Sequence, residues 1–239
     1  MKHKEKLVTL KNVWKIYQMG EVKVPALKGV SVDIHKGEFV AIIGASGSGK
    51  STMMNLVGCL DLPTKGDIFL KNQNITKLHE SKLSVLRGKT IGFVFQQYNL
   101  IQTMTALENV LLPLELQEMN DEKAKKQAIK VLKLVGLEDK MYNRPTQLSG
   151  GQQQRVAIAR SLANDPEIIL ADEVTGALDS VTGKEIMKML TKLWKEENKT
   201  IIMITHDLNL ANYAQTIIEL KDGEIIKIKN NNKQTTVRT

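Results

Sequence analysis

Five consecutive apolar residues, Phe39-Val40-Ala41-Ile42-Ile43, run straight into Gly44-Ala45-Ser46-Gly47-Ser48-Gly49-Lys50-Ser51-Thr52. That junction admits few folds. Glycines let the backbone curl until successive N–H groups converge, and the helix that starts near Lys50 adds the positive end of its dipole. A buried strand, a glycine loop and Lys-Ser/Thr, in that order, make a socket for nucleotide phosphates. In such a socket Lys50 reaches the β- and γ-phosphates and the Ser51 hydroxyl meets Mg2+. The competing reading, a flexible glycine turn beside a surface lysine, does not account for the strand before the loop or the helical pattern after it.

The loop identifies a nucleotide but not its use, so the rest of the chain has to supply that. At 239 residues the chain is long enough for one large domain, or one core with a substantial insertion, around a proper hydrophobic centre. A formal net charge of +8 invites a nucleic-acid reading. The excess lies mainly at the two ends and in one helical stretch, however, and only Trp14, Trp194, four Tyr and four Phe are present to stack on bases. No nucleic-acid partner is expected, and the charge reads as solvated surface with anionic lipid headgroups as a candidate neighbour. Cys59 is the only cysteine, so no internal disulfide forms. The basic start, Met1-Lys2-His3-Lys4-Glu5-Lys6, leads only into Leu7-Val8-Thr9-Leu10, too short for a secretory h-region. No stretch approaches a membrane span. The expected location is cytoplasmic, with any tie to a membrane made through a partner.

Along the chain, Leu7 to Leu10, Val30 to Ile34 and Phe39 to Ile43 read as short strands, with a Lys36-Gly37 turn before the last. A helix follows from Ser51 to about Cys59 and stops near Asp61-Leu62-Pro63; Gly66 to Leu70 returns to strand. Thr90 to Phe95 reads as a buried strand ending at Gln96-Gln97. The texture then turns helical, from Ala106 to about Leu116 and from Asp121 to about Val135, with Asp121 the expected N-cap and Gly136 the stop. Ile168 to Ala171 and Ile201 to Ile204 are continuous apolar runs, the pattern of strands covered on both faces of a parallel sheet. Thr182 to Glu197 has helical spacing between them, and Ile217 to Leu220, Asp222-Gly223 and Glu224 to Ile228 make a hairpin.

Three apolar runs end in chemistry. Ile43 precedes the phosphate loop, Ala171 precedes Asp172-Glu173, and Ile204 precedes Thr205-His206. Ligands of open α/β sheets sit at the carboxyl ends of the strands, so these endpoints are expected to converge. Asp172 suits the second handle on Mg2+. Glu173 could orient or deprotonate the attacking water, and His206 could donate to the γ-phosphate. The bland alternatives are a surface turn for the two acids and a structural role for the histidine. Leu148-Ser149-Gly150-Gly151-Gln152-Gln153-Gln154-Arg155 is a second glycine knot before a helix, hence a second anion-receptive site with a hydroxyl and N–H groups facing outward. One nucleotide does not need two such sites from one chain.

Leu148 to Gln152 resembles the signature motif of ATP-binding cassette (ABC) ATPases, and the other residues match that family in chain order over about residues 5 to 228. The resemblance implies that Tyr17 stacks on adenine and that Gly44, Ala45, Ser46, Gly47, Ser48, Gly49, Lys50, Ser51 and Thr52 hold the phosphates. It makes Gln96 the Q-loop glutamine, Asp172 the Walker B aspartate, Glu173 the catalytic glutamate and His206 the switch histidine. Ser51, Gln96 and Asp172 become the Mg2+ set, and Asp179, in Ala177-Leu178-Asp179, the D-loop aspartate. It further implies a second copy of the chain packed head to tail, so that Ser149, Gly150, Gly151 and Gln152 of one copy complete the ATP site of the other. Gln96 would begin the segment that couples to an integral membrane permease, with Tyr98, Leu100 and Ile101 either contacting it or forming apolar core.

The implied fold is α/β: a phosphate-loop NTPase (RecA-like) core with a parallel sheet, an antiparallel β subdomain and an inserted α-helical subdomain. The nucleotide-binding domain spans 1–229, its core at about 5–96 and 164–228 and its helical part at about 97–163, and 230–239 is a polar tail expected to be disordered. Gly58 to Thr64, Phe93 to Leu100 and Gly176 to Ser180 look most like cassettes of the lipoprotein-release and macrolide-export group. The alternative is an ABC ATPase without a permease, acting on cytoplasmic assemblies; such proteins commonly carry coiled coils, duplicated cassettes or insertions not visible here. A third reading, a nucleotide-binding module without turnover, rests on one departure. The family usually has proline after the catalytic glutamate, and here the residue is Val174.

Overall fold

A computed structural model describes residues 5–231. In chain order the elements are β1 (Lys6–Met19), β2 (Val22–His35), β3 (Phe39–Ile43), α1 (Lys50–Val57), β4 (Lys65–Leu70), β5 (Gln73–Asn74), α2 (Glu80–Thr90), β6 (Ile91–Val94), α3 (Ala106–Glu115), α4 (Asp121–Leu134), α5 (Gly150–Leu162), β7 (Ile168–Asp172), α6 (Ser180–Lys195), β8 (Thr200–Ile204), α7 (Leu208–Ala211), β9 (Thr216–Lys221) and β10 (Glu224–Asn230). They form two compact units. One runs to Arg87 and resumes at Asn198, and the other is Gly88–Glu197.

The first unit holds an antiparallel layer in the order β2-β1-β4-β5 and a set of strands in the order β10-β9-β3-β8. Within that set, β3 is parallel to both β8 and β9, with Ile42 opposite Ile204 on one side and Ile218 on the other. Both neighbours and both faces are covered, so Phe39 to Ile42 are almost wholly buried, as is all of β8. β1 and β2 are far longer than the apolar runs at Leu7 and Val30 suggest. The extra residues are largely polar and half-exposed, and the pairing slips between Leu10 and Val13, next to Asn12 at φ 48. Such bulges break the period-2 signal while preserving the ladder.

In the second unit β6 and β7 are parallel, Val94 opposite Ala171. Helices α3, α4 and α5 pack on one another, and α5 also packs against β6 and α6. The α4 stripe Ala124, Ala128, Val131 and Leu132 is buried as its spacing predicts. Its N-cap, however, is Asn120 rather than Asp121. The Asn120 side chain accepts from the N–H groups of Glu122 and Lys123, at 3.1 and 3.5 Å, and Asp121 falls in the first turn, where its charge meets the positive helix end. Gly136, at φ 71, ends the helix as expected. α2 carries little apolar periodicity and has no counterpart in the sequence reading. The hairpin reaches Asn230, two residues past its expected end; the rest of the expected disordered tail, 232–239, lies outside the described residues.

One buried polar residue organises the stretch after β6. Asn109 of α3 is 1% exposed and spends its whole side chain on the backbone of a single loop. Its amide accepts from the Ile101 N–H at 2.8 Å and donates to the carbonyls of Ile101, Met104 and Thr105 at 3.1, 3.3 and 2.9 Å. Removing it leaves several backbone groups without partners at once. Asn109→Ala is expected to cost about 2–3 kcal/mol of unfolding free energy and to speed amide exchange at Ile101. Denaturant melts and hydrogen exchange check both, and unchanged exchange at Ile101 would show that the loop is held elsewhere.

Candidate functional site

In the first unit, the parallel pairing of β3 with β8 sends the phosphate loop and His206 out from the same strand ends. Ile42 faces Ile204, and the Thr205 N–H continues the ladder to the Ile42 carbonyl at 3.2 Å. His206 is exposed one residue further on, and Asp207 behind it caps α7 through the Asn209 N–H at 2.7 Å. The loop itself is held from outside. The Gly223 N–H, in the β9–β10 turn, donates to the Ser48 carbonyl at 3.1 Å, and the Gly223 carbonyl accepts from Lys28 of β2 at 2.8 Å.

Residues 45–47 face solvent, whereas the Ser48 hydroxyl is buried against Gly44. Gly49 caps α1 in a left-handed conformation, φ 103, with no side-chain cap. The first N–H groups of α1 therefore have no side-chain acceptor. Lys50 is 8% exposed and folds back, donating to the carbonyls of Gly44 and Ala45 at 2.9 and 2.7 Å. An ammonium group lying over an uncapped helix start is a donor set that fits a polyphosphate. The Ser51 hydroxyl, on the exposed side of the first turn, fits a cation bridging that polyphosphate. Tyr17 lies on β1, half-buried, its hydroxyl donating to Asp61 at 3.2 Å. Cys59 is buried just after α1, and burial pushes its thiol up to about 11, so it stays protonated at neutral pH.

In the second unit the parallel pairing of β6 with β7 does the same for Gln96 and Asp172, which follow the facing residues Val94 and Ala171 by two and by one. A Cβ on Gly176 would stand 2.9 Å from Nε2 of Gln96, so the exposed glutamine lies against the turn that Asp172 and Glu173 open. Glu173 takes φ 43 and Val174 behind it is buried. A proline at 174 would disfavour that backbone, because it pushes the preceding residue towards extended conformations.

Ser149 caps α5 in a closed box: its hydroxyl accepts from the Gln152 N–H at 3.3 Å, and the Gln152 side chain accepts from the Ser149 N–H at 2.9 Å. The hydroxyl is thus engaged by its own helix rather than free, although Ser149 as a residue is exposed. A Cβ on Gly151 would collide with the Thr182 methyl group. Thr182 is held by Asp179, whose carboxylate caps α6 through the N–H groups of Val181 and Thr182 at 2.9 and 3.0 Å and accepts from the Thr182 hydroxyl at 2.6 Å. That hydroxyl, then the backbone N–H groups, hold the Asp179 carboxyl below the usual carboxylate range. The second unit therefore gathers Gln96 with Asp172 and Glu173, and the Ser149 knot with Asp179.

Two residues that the sequence reading passed over hold this group. Arg160, near the end of α5, donates to the carbonyls of Asn99 and Tyr98 at 2.5 and 2.9 Å, and burial lowers its pKa. At the other end of the helix, the Tyr98 hydroxyl lies 2.8 Å from where a Cβ on Gly150 would stand. Tyr98 thus runs along α5, and Asn109 fastens the loop beyond it. Of the residues expected at a permease contact or in the core, Leu100 is buried, Tyr98 half-buried and Ile101 38% exposed. A lone asparagine in an apolar stripe is a signal that could have found Asn109; nothing in the sequence pattern distinguishes Arg160 from a surface arginine.

Residues 27–176 match the family model described as ABC transporter. The ABC transporter ATP-binding protein MJ0796 of Methanocaldococcus jannaschii is 54% identical over 223 residues, 92% of this chain and 95% of that protein. The macrolide export ATP-binding/permease protein MacB of Hyphomonas neptunium is 48% identical over 225 residues, 94% of this chain but 35% of that longer protein. A solved structure titled as a dimeric post-hydrolysis state of the cassette MJ0796 bound to ADP and Pi superposes with a TM-score of 0.87 at 52% identity, covering 95% of this chain and 99% of that one. Among the described residues no helix is long and apolar enough to cross a membrane. With its phosphate loop, its Ser149 knot and this degree of likeness, the chain belongs to the ATP-binding subunits of the ABC transporter family.

Proposed function

We propose that this chain hydrolyses Mg-ATP as one of two identical copies that share their nucleotide sites, and that closure and opening of the pair drives a membrane permease. The observation that carries the reading is the presence of two glycine-rich helix starts on one chain, α1 uncapped behind the phosphate loop and α5 capped by the exposed Ser149. Ser149 and Asp179 are both exposed, as residues awaiting a second surface must be. The likeness to a cassette whose structure is titled as a dimer with ADP and Pi supports the same arrangement. The likeness to macrolide export proteins, which carry a permease in the same chain by their printed name, supports an integral membrane permease as the partner. This chain would sit on the permease's cytoplasmic side, and the cargo would be the lipoprotein, peptide or antibiotic of the lipoprotein-release and macrolide-export group.

In this reading Tyr17 supports the adenine. The N–H groups of residues 44–52 and the Lys50 ammonium, turned away from its loop carbonyls, bind the phosphates. Ser51, Gln96 and Asp172 would hold Mg2+, which neutralises charge on the β- and γ-phosphates when bound. Glu173 accepts a proton from the attacking water, and His206 donates a hydrogen bond to the γ-phosphate. The Ser149 to Gln152 knot of the other copy closes the site, with Asp179 alongside. Because Tyr98 and Arg160 tie α5 to the backbone that follows Gln96, a change at the knot is delivered to the segment offered to the permease.

Two outcomes test this. Lys50→Ala and Ser149→Arg chains are each expected to be inactive alone, while an equimolar mixture regains about a quarter of the parent ATPase rate, since half the pairs are mixed and each mixed pair has one intact site. A mixture no more active than its components would show that the sites are not shared. The parent chain is also expected to turn over ATP despite Val174. Glu173→Gln then lowers kcat by about 10²-fold or more, and Val174→Pro alters the rate of an already active enzyme. An inactive parent rescued by Val174→Pro would mean that the valine cripples the site.

A further inference from the structure

We propose that Asp61 is the residue that positions the adenine-stacking tyrosine, fastening the base platform to the far end of the phosphate-loop helix. This rests on the reading of Tyr17 given above. The carboxylate serves both sides of the connection. One oxygen accepts from the Tyr17 hydroxyl at 3.2 Å. The other accepts from Lys15 Nζ at 2.6 Å and from the Leu62 N–H at 2.7 Å. Lys15 also donates to the Leu62 carbonyl at 2.9 Å, and its ammonium lies 5.0 Å from the centroid of the Tyr17 ring. Lys15 and Tyr17 are two apart on β1 and so share a face of the strand.

Asp61 stands on the turn that leaves α1, where the Leu60 N–H closes onto the Asn55 carbonyl at 2.8 Å. That turn is also sewn to β1 by the Thr64 N–H to the Trp14 carbonyl at 2.7 Å, by the Ile16 N–H to the Thr64 hydroxyl at 2.9 Å and by that hydroxyl to the Ile16 carbonyl at 3.4 Å. A helix of eight residues therefore carries the phosphate loop at its start and, just past its end, the carboxylate that fixes the stacking ring. The distance from base to triphosphate is built in before the nucleotide arrives. A ring already held in place avoids the ordering cost that a free side chain pays on binding. A cation on the ring's face is attracted by its π-electrons, and its charge is matched by Asp61.

An ion pair that merely staples a turn to a strand would not distinguish the base from the phosphates, and that difference supplies the test. Mg-ATP and inorganic tripolyphosphate are titrated into the full chain carrying Tyr17→Phe, Asp61→Ala or Tyr17→Ala, alongside steady-state ATPase assays. Tyr17→Phe keeps the ring and loses only the hydroxyl. It and Asp61→Ala are each expected to weaken ATP binding about threefold to tenfold, the size of one lost hydrogen bond, and to raise KM without lowering kcat. Tripolyphosphate binding is expected to stay unchanged in both. Should Asp61→Ala fail to fold, Tyr17→Phe decides. If Tyr17→Ala weakens ATP binding while Tyr17→Phe and Asp61→Ala do not, the positioning role is overturned and the base platform stands. If Tyr17→Ala leaves ATP binding unchanged, the platform itself is wrong and the positioning role falls with it. If tripolyphosphate weakens as much as ATP, Asp61 supports the phosphate loop rather than the ring, which also overturns the proposal.

Discussion

Backbone carbonyls press on the phosphate loop from two sides, and the loop can close only because its glycines have no Cβ. The Ala26 carbonyl lies 2.6 Å from where a Cβ on Gly49 would stand, and the Leu220 carbonyl crowds Gly44 more closely still. The long strand β2 and the β9–β10 hairpin are thus props for the loop, and the Gly223 hydrogen bonds join them. A loop braced in this way has its N–H groups aimed in advance, which is the condition for strong electrostatic stabilisation of phosphate chemistry. Lys50 completes the arrangement. It rests on the carbonyls of Gly44 and Ala45, which in the proposed function it exchanges for phosphate oxygens.

The strands that carry this chemistry were the easiest part to read. β3, β7 and β8 are covered on both faces, so their sequences are uninterrupted apolar runs, and the boundaries at Ile43, Asp172 and Ile204 fall within a residue of where those runs end. The apolar runs at Leu7 and Val30 cover less than half of β1 and β2. Half-exposed, bulged strands show neither a continuous run nor a clean alternation. The residues of α2 lack a helical stripe and so give no signal, and the α4 cap lies one residue before the expected one because Asn120 and Asp121 are equally able to cap.

At the candidate site the residue types suggest roles, whereas the arrangement that holds those residues leaves no mark in the sequence. In the sequence Gly150 and Gly151 read as part of an anion-receptive knot at a helix start. In the fold they are also clearances for Tyr98 and Thr182, which is how the signature helix meets the backbone after Gln96 and the helix capped by Asp179. Arg160, Asn109 and Asp61 act on partners 61, 8 and 44 residues away. No local pattern signals an arginine that serves two carbonyls or a carboxylate shared between a lysine and a tyrosine. Chemistry at strand ends is local and therefore visible; the long-range polar contacts that position it are not.

In the proposed function one chain carries halves of two sites, completed only when a second copy closes on ATP. Sedimentation equilibrium of the Glu173→Gln chain, which would bind ATP without consuming it, addresses this directly. The predicted result is the mass of two copies in saturating Mg-ATP and of one copy in ADP. A chain that binds Mg-ATP to saturation and still sediments as a single copy would contradict the claim.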